Sequence, residues 1–246
     1  MNSLNKLEEH KKLLRGKSKL PSYLNDTLIG LILSDGYLER SSSTSGVRLT
    51  ISFGAKHIGY IYHLYNLFEP YTNTKPTSIS VYNKKTDSYN EVLRFKTVNL
   101  PQLIYYHDLF YRFNTEGRLI KTIPSNIENF ITPVSLAHLI MGDGNLKKSD
   151  NIIRIYTNSF TIDEVNLLAK SITNKLNITT KVVHDRNNQY IITISKSQLK
   201  LVQQLVKLHM HSSMYYKLDL AVVDTVFDYK SVIDLEVFYK ECEDYH

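Results

Sequence analysis

Twelve consecutive residues of this 246-residue chain recur at a separation of 108, and this repetition constrains the fold more than any other feature. The first copy is Thr27-Leu28-Ile29-Gly30-Leu31-Ile32-Leu33-Ser34-Asp35-Gly36-Tyr37-Leu38. The second is Ser135-Leu136-Ala137-His138-Leu139-Ile140-Met141-Gly142-Asp143-Gly144-Asn145-Leu146. Both are apolar helical turns that end in Asp-Gly, and the segments after them are also parallel. After the first come an alternating segment Val47–Phe53, a helical pattern His57–Phe68, strand-like runs Ser78–Tyr82 and Glu91–Thr97 around a polar turn, and a helix near Leu100–Phe113. After the second come Ile152–Thr157, a helix Ile162–Leu176 with Thr161 and Glu164 set as a capping box, strands Thr179–His184 and Tyr190–Ser195 around Asp185–Gln189, and a helix Gln198–Leu208. Each half reads helix, strand, helix, hairpin, helix. The expected division is an N-terminal helical extension 1–20, a first half 21–124, a second half 125–220 with the joint near Pro124–Pro133, and an acidic extension 221–246.

The alternation shows how the sheets are built. Val47, Leu49, Ile51 and Phe53 interleave with Arg48, Thr50 and Ser52. Arg94 and Lys96 interleave with Leu93 and Phe95, and Arg154, Tyr156 and Asn158 with Ile153 and Ile155. One face of each sheet then packs on helices while the other offers donors outward. Any one such strand is accounted for by a solvated sheet face, but four short polar-faced strands in each half with a basic bias point to a polyanion. The charge distribution agrees. The net charge of +6 divides into −5 for residues 221–246 and +11 for residues 1–220, a balance that favours nucleic acid or an anionic membrane surface. A two-stranded ribbon fits the major groove of DNA, where Arg, Lys and Asn read base edges.

Other classes are excluded. A single cysteine, Cys242, permits neither an intramolecular disulfide nor a cysteine-rich zinc module and suggests a reducing compartment. No apolar run approaches the roughly 20 residues of a membrane span, so a soluble protein without membrane partners is expected. Lys6, Lys11 and Lys12 mixed with Glu8 and Glu9 resemble neither a signal peptide nor a transit peptide. Asn, Lys, Ile, Tyr and Phe number 90 against 27 for Gly, Ala, Arg and Pro, the bias of an AT-rich genome such as an organelle or mobile element.

An Asp in the last turn of a helix faces the negative end of the macrodipole, an unfavourable contact of about 0.3–1 kcal/mol that a bound cation removes. Gly36 and Gly144 are expected to end their helices in a left-handed conformation. Gly30 inside a helix costs about 1 kcal/mol against alanine, which close approach of a second helix offsets. Gly30 with Ser34, and Ala137 with Gly142, put small residues on one face of each helix, so the two can meet on a pseudo-twofold axis. Such packing brings Asp35 and Asp143 together, where divalent ions relieve their repulsion; hard oxygen ligands with water suit magnesium.

The paired segments 28–36 and 136–144 resemble the signature of the LAGLIDADG homing endonucleases in their single-chain, two-copy form. Leu33 and Met141 stand where the name-giving sequence is acidic. The resemblance implies an α+β fold of two pseudo-symmetric αββαββα halves, each an antiparallel four-stranded sheet with helices on one face, joined through the motif helices. His138 occupies the slot of Gly30 and is expected to pack over that glycine as a core histidine. The segment Arg118–Pro124 resembles the family's lysine-containing segment after the first half, and Met214–Leu218 its partner, so Lys121 and Lys217 are expected beside the metal cluster. Asn158 resembles a further polar position; Gly54-Ala55-Lys56 stands there in the first half. The implied site is Asp35 and Asp143 as metal ligands, aided by the main-chain carbonyls of Ser34 and Gly142, with Arg48, Thr50, Ser52, Ser80, Tyr82, Arg94, Lys96, Arg154, Tyr156, Asn158, Lys181 and Thr193 facing DNA. The implied activity is a staggered double-strand break at a long asymmetric site on the order of 20 base pairs by a monomer encoded in a mitochondrion or another AT-rich organelle. Magnesium is the expected cofactor, manganese a substitute, and calcium a support for binding without cleavage. An intron maturase that binds its own RNA, and a non-catalytic DNA-binding protein, stand as alternatives. The tail beyond Ala221, with Val222, Val223, Val226 and Phe227, has the pattern of a packing helix without an assigned function.

Overall fold

Each repeated segment forms a helix that is apolar on nearly every side, and such a helix must be buried on nearly every side. The computed structural model describes residues 3–84 and 86–221. The elements are α1 (Ser3–Gly16), α2 (Ser22–Ile32), β1 (Tyr37–Arg40), β2 (Val47–Gly54), α3 (Ile58–Phe68), β3 (Thr77–Asn83), β4 (Ser88–Lys96), α4 (Ile104–Phe110), β5 (Tyr111–Phe113), β6 (Leu119–Lys121), α5 (Pro133–Asp143), β7 (Gly144–Lys147), β8 (Ile152–Tyr156), α6 (Ile162–Leu176), β9 (Thr180–His184), β10 (Tyr190–Ile194) and α7 (Leu199–Val206), joined by short 3-10 turns. Two antiparallel four-stranded sheets share one connectivity, β1-β2-β4-β3 in the first half and β7-β8-β10-β9 in the second. The α+β class and the two-half architecture therefore hold. Among the described residues, no helix is long and apolar enough to cross a membrane. The tail expected to form a helix lies outside the described residues.

α2 and α5 cross at the centre. From Leu28 to Leu33 and from Leu136 to Met141 every residue is buried. The contact is made by residues 108 apart. A methyl group on Gly30 would lie 2.6 Å from the Cβ of His138 and 2.4 Å from the carbonyl of Ser135, while one on Gly142 would lie 2.6 Å from the Cβ of Ser34. Gly30 and His138 are the same motif position, as are Ser34 and Gly142, and like faces like only on a twofold axis. His138 packs over Gly30 as expected of a core histidine. It is fully buried, with Nε2 3.3 Å from Thr27 Oγ1 and Nδ1 3.2 Å from the Tyr60 hydroxyl. Burial holds its pKa well below the ordinary 6.5, so the ring is neutral.

Two sequence expectations are corrected. The helix near Leu100–Phe113 stops at Phe110; Tyr111–Phe113 is a strand that pairs with Leu119–Lys121. The turn makes the difference: Asn114 Oδ1 accepts from the amides of Glu116 and Arg118, and Gly117 takes φ +70°, which folds the chain into a hairpin. Gly36 and Gly144 are not left-handed. Gly144 has φ −80° and ψ 150°, and Gly117 is the described glycine with positive φ. These two glycines are instead required by crowding, since a methyl group would meet the Leu31 carbonyl at 2.8 Å and the Ile140 carbonyl at 2.5 Å. Each also adjoins or starts an edge strand, β1 or β7, that alternation alone does not reveal, because four residues are too few to show a period.

Gly30→Ala must push α2 and α5 apart and is expected to destabilise the fold by about 1–3 kcal/mol, the usual cost of overpacking. Gly54→Ala, where a methyl group meets nothing within 4 Å, is the control and should leave stability unchanged. Urea unfolding of the two variants checks this, and equal stability of both would refute the close crossing.

Candidate active site

The crossing delivers both acids to one place. Asp143 is the last residue of α5, against the negative end of its dipole. Asp35 lies three residues beyond the end of α2, in a turn closed by Ser34 N donating to Leu31 O at 3.1 Å and Gly36 N to the same oxygen at 2.7 Å. A methyl group on Gly142 would stand 3.2 Å from Asp35 Oδ2, so the Asp35 carboxylate rests against the residue that precedes Asp143. A side chain at 142 is excluded chiefly by Ser34, whose Oγ and Cβ would lie 2.4 and 2.6 Å from a methyl group there.

Two lysines reach the same place from unlike scaffolds. Lys121 ends β6, which lies antiparallel to β5 with Tyr111 opposite Lys121. The Tyr111 hydroxyl accepts from the Leu38 amide at 3.0 Å, docking this hairpin on β1. Lys121 Nζ then donates to the carbonyls of Ser34 and Gly36, each at 2.9 Å. Lys217 comes from the 3-10 helix Ser212–Leu218, anchored by buried Met214, Tyr215 and Leu218. Its ammonium donates to Met141 O at 2.6 Å and Gly142 O at 2.7 Å. The Ser34 and Gly142 carbonyls, expected as metal ligands, thus each carry a lysine, and each oxygen keeps a second lone pair. Lys56, in the turn Ala55–His57 after β2, lies close enough that its charge depresses the pKa of Lys217. The sequence signal for Lys56 is its correspondence with Asn158. Asn158 itself stands exposed in the turn between β8 and α6, past a strand whose Ile155 pairs with Gly144.

Strand register assigns the outward faces. In the second half Asn145, Arg154, Thr193 and Lys181 lie opposite one another in turn across four strands, and Tyr156 follows on the same face. In the first half Tyr37 is opposite Thr50 and Thr50 opposite Lys96; Glu39 is opposite Arg48; Ser52 is opposite Arg94, and Arg94 opposite Thr77. Ser80 and Tyr82 are corrections. They pair with Glu91 and Tyr89, on the face that carries Leu93 and Phe95, and the residues of β3 that share the basic face are Thr77, Ile79 and Val81. Both sides of that strand are largely exposed, so polarity does not identify its face. Tyr37, Glu39, Asn145 and Lys147, which alternation does not single out, join the basic faces because they sit on the two edge strands.

Burial sets the electrostatics. Partial desolvation raises the pKa of Asp35, whose side chain solvent still reaches, opposed by Lys217 and Lys121. It raises Asp143 to about 7, with the Asp35 charge adding to the effect. The same burial lowers Lys121 and Lys217 to about 8 each against the pull of both aspartates. Two carboxylates and two ammoniums therefore share a pocket that suits none of their charges fully. Because Asp143 is held above its unfolded value of 3.8, the folded state binds its proton more tightly, and stability falls as pH rises from 3.8 toward about 7. Asp143→Asn is accordingly expected to raise the Tm of the metal-free protein by an amount that is small near about pH 4, grows through that window and levels off above it. Thermal unfolding across the range checks this; a difference independent of pH would contradict the burial of the carboxylate.

Comparison with known proteins gives one consistent result. The family model described as the LAGLIDADG DNA endonuclease family matches residues 26–202. DNA endonuclease I-ChuI of Chlamydomonas applanata is 28% identical over 202 residues, 78% of this chain and 92% of that protein. The cytochrome b mRNA maturase bI2 of Saccharomyces cerevisiae is 29% identical over 196 residues, 78% of this chain but 46% of its own length. The solved structure of the homing endonuclease I-WcaI bound to its DNA recognition sequence superposes with a TM-score of 0.73 at 25% identity, covering 86% of this chain and 92% of that one. With the match spanning both repeats and the acids they carry, the chain belongs to the LAGLIDADG DNA endonuclease family.

Proposed function

We propose that this chain is a divalent-metal-dependent, site-specific endonuclease that makes a staggered break in double-stranded DNA as a monomer encoded in an organellar intron. The observation that carries the proposal is the delivery of Asp35 and Asp143 to one pocket flanked by Lys121 and Lys217. The donor set fits magnesium: two carboxylates and main-chain carbonyls are hard oxygen ligands. An ion held by two carboxylates and carbonyls would keep water and phosphate in its shell. The raised carboxyls are a second mark of fit, since a cation beside them would favour the ionised form. When bound, magnesium or manganese would supply Lewis-acid stabilisation of phosphate oxygens and a more acidic water.

The chain's own groups do the rest. One aspartate serves each strand, and their adjacency keeps the two cuts a few base pairs apart. Lys121 and Lys217 bring positive charge to a scissile phosphate and, with pKa values near 8, hold a proton that can be given or regained near neutral pH. Arg48, Thr50, Ser52, Arg94 and Lys96 on one sheet, and Arg154, Tyr156, Lys181 and Thr193 on the other, face the two flanking half-sites, with backbone contacts setting position and base edges setting sequence. Asn158, exposed in the turn between β8 and α6, is assigned to DNA contact.

Kinship with the maturase bI2 favours intron RNA binding as a second reading, for which only the basic faces are needed. A supercoiled plasmid library carrying candidate sites separates the two. Linear product with magnesium and not with calcium is expected of the nuclease, whereas tight RNA binding with no linear product under either ion indicates a maturase. Asp35→Asn should lower double-strand cleavage by more than about a hundredfold while leaving binding in calcium intact. Unchanged cutting by this variant would remove Asp35 from the mechanism.

A further inference from the structure

The basic face of the first sheet carries an acid on its edge strand β1. Glu39, in the middle of β1, takes Arg48 in a two-pronged contact, Nε to Oε2 at 2.9 Å and Nη2 to Oε1 at 2.6 Å, and accepts from Lys96 Nζ at 3.0 Å. All three side chains are about one-third exposed, at 33% for Glu39, 38% for Arg48 and 37% for Lys96. Ion pairs this accessible contribute little to folding, typically below about 1 kcal/mol. A carboxylate on a surface that meets a polyanion also costs affinity, both by repelling phosphates and by occupying two cations that would otherwise neutralise them. A two-pronged contact with a third charge beside it adds a modest stability at most, and affinity for a polyanion does not account for it. The second half, whose motif and strand order are otherwise repeated, has no acid at the corresponding strand position; the carboxylate nearby, Asp150, lies in the turn between β7 and β8 and pairs with Lys147. The position 108 residues after Glu39 is Lys147, and it lies opposite the apolar Ile152.

Resting on the endonuclease reading above, we propose that Glu39 is a specificity-determining residue of the first half that, with Arg48, reads a single G·C base pair in the major groove. The chemistry of that pair matches the two side chains. Guanine presents O6 and N7 to the fork of an arginine, and cytosine presents its N4 amine to a carboxylate. The Glu39 contact sets the plane of the Arg48 guanidinium before DNA arrives, and Oε1, which accepts one hydrogen bond, retains a lone pair for the cytosine amine while Oε2 accepts from both Arg48 and Lys96. Where guanine or thymine takes the place of the cytosine, the carboxylate faces a carbonyl or a methyl group. Where adenine does, its amine is accepted but Arg48 loses the guanine. In each case Arg48 and Lys96 stay bound to Glu39 and away from phosphates. Glu39 therefore discriminates chiefly by weakening the wrong complexes.

The test is selection of a randomised 30-base-pair duplex library in calcium by the wild-type chain, Glu39→Gln and Glu39→Ala, followed by salt titration on a random-sequence duplex. The wild type is expected to enrich a motif with a fixed G·C pair in the half-site near its centre. Both variants should lose preference at that one position by about tenfold or more while keeping the rest of the motif. They should also bind the random duplex more tightly, with the slope of log K against log salt steeper by about 1–2 as Arg48 and Lys96 turn to phosphates. An unchanged motif and salt slope would overturn the proposal and leave the endonuclease reading standing. A general loss of affinity with a lowered Tm would overturn it in favour of a purely structural ion pair. If the wild type enriches nothing, the site-specific reading fails, and this inference with it.

Discussion

The contact on which the structure depends is between two helix backbones with almost nothing between them. α2 and α5 approach until Gly30 lies under His138 and Gly142 under Ser34, distances that no methyl group survives. Everything used at the centre depends on that approach. The axis relating the halves runs through the contact, so residues just beyond it are brought into one pocket whatever the rest of each half does. The helices hold together by complementary shape, bulk on one side set against a missing side chain on the other. Two buried polar side chains in the contact, Thr27 and His138, are bonded to each other. A polar group so placed stabilises one register of the helices over its neighbours, because any slip leaves a neutral imidazole buried without that partner.

The pocket is formed at a cost in electrostatic free energy. Asp35 and Asp143 are raised, Lys121 and Lys217 are lowered, and in each case burial is the largest cause. Opposite charges in the cluster compensate only in part. Groups kept in this condition respond strongly to an incoming cation or phosphate, since added charge of the right sign removes a penalty already present. On the proposed reading, part of the free energy of engaging DNA and metal is the release of this stored cost, and the lysines bound to the Ser34 and Gly142 carbonyls have nearby acceptors to exchange for phosphate oxygens.

The centre is legible in the sequence because two independent signals coincide there. A repeat of twelve residues announces symmetry, and a glycine inside an apolar helix announces close approach. Asp35 and Asp143 can be paired from those alone, and His138 can be set over Gly30. The two lysines are legible only through resemblance, since neither β6 nor the 3-10 helix Ser212–Leu218 has a periodicity that fixes where its lysine points. The outer parts are legible where one face is buried, as in β2, whose residues alternate buried and half-buried along its whole length. They are misleading where neither face is. β3 is largely exposed on both sides, so Ser80 and Tyr82 look like outward donors until the register with β4 puts them on the other face. β1 is four residues long, too short for a period, and its Glu39 gives no signal in the sequence for that reason.

Beyond the shared strand order, side-chain symmetry is closest where the chemistry is the same for both strands. The phosphodiester backbones of a duplex are related by a local twofold axis regardless of sequence, and at the centre the protein matches this. Equivalent aspartates stand beside equivalent carbonyls, each carrying a lysine, although a hairpin supplies one lysine and a 3-10 helix the other. Base edges have no such axis in an asymmetric site, and along the sheets the likeness is dropped. β3 and β4 run 7 and 9 residues where β9 and β10 run 5 each. Glu39 opposite Arg48 in one half becomes Lys147 opposite Ile152 in the other. A single chain with two copies permits this division, because each sheet can change without altering the other while the crossing of α2 and α5 holds the cutting geometry fixed. An identical-subunit dimer would have to change both sheets together, and so would be confined to nearly palindromic sites.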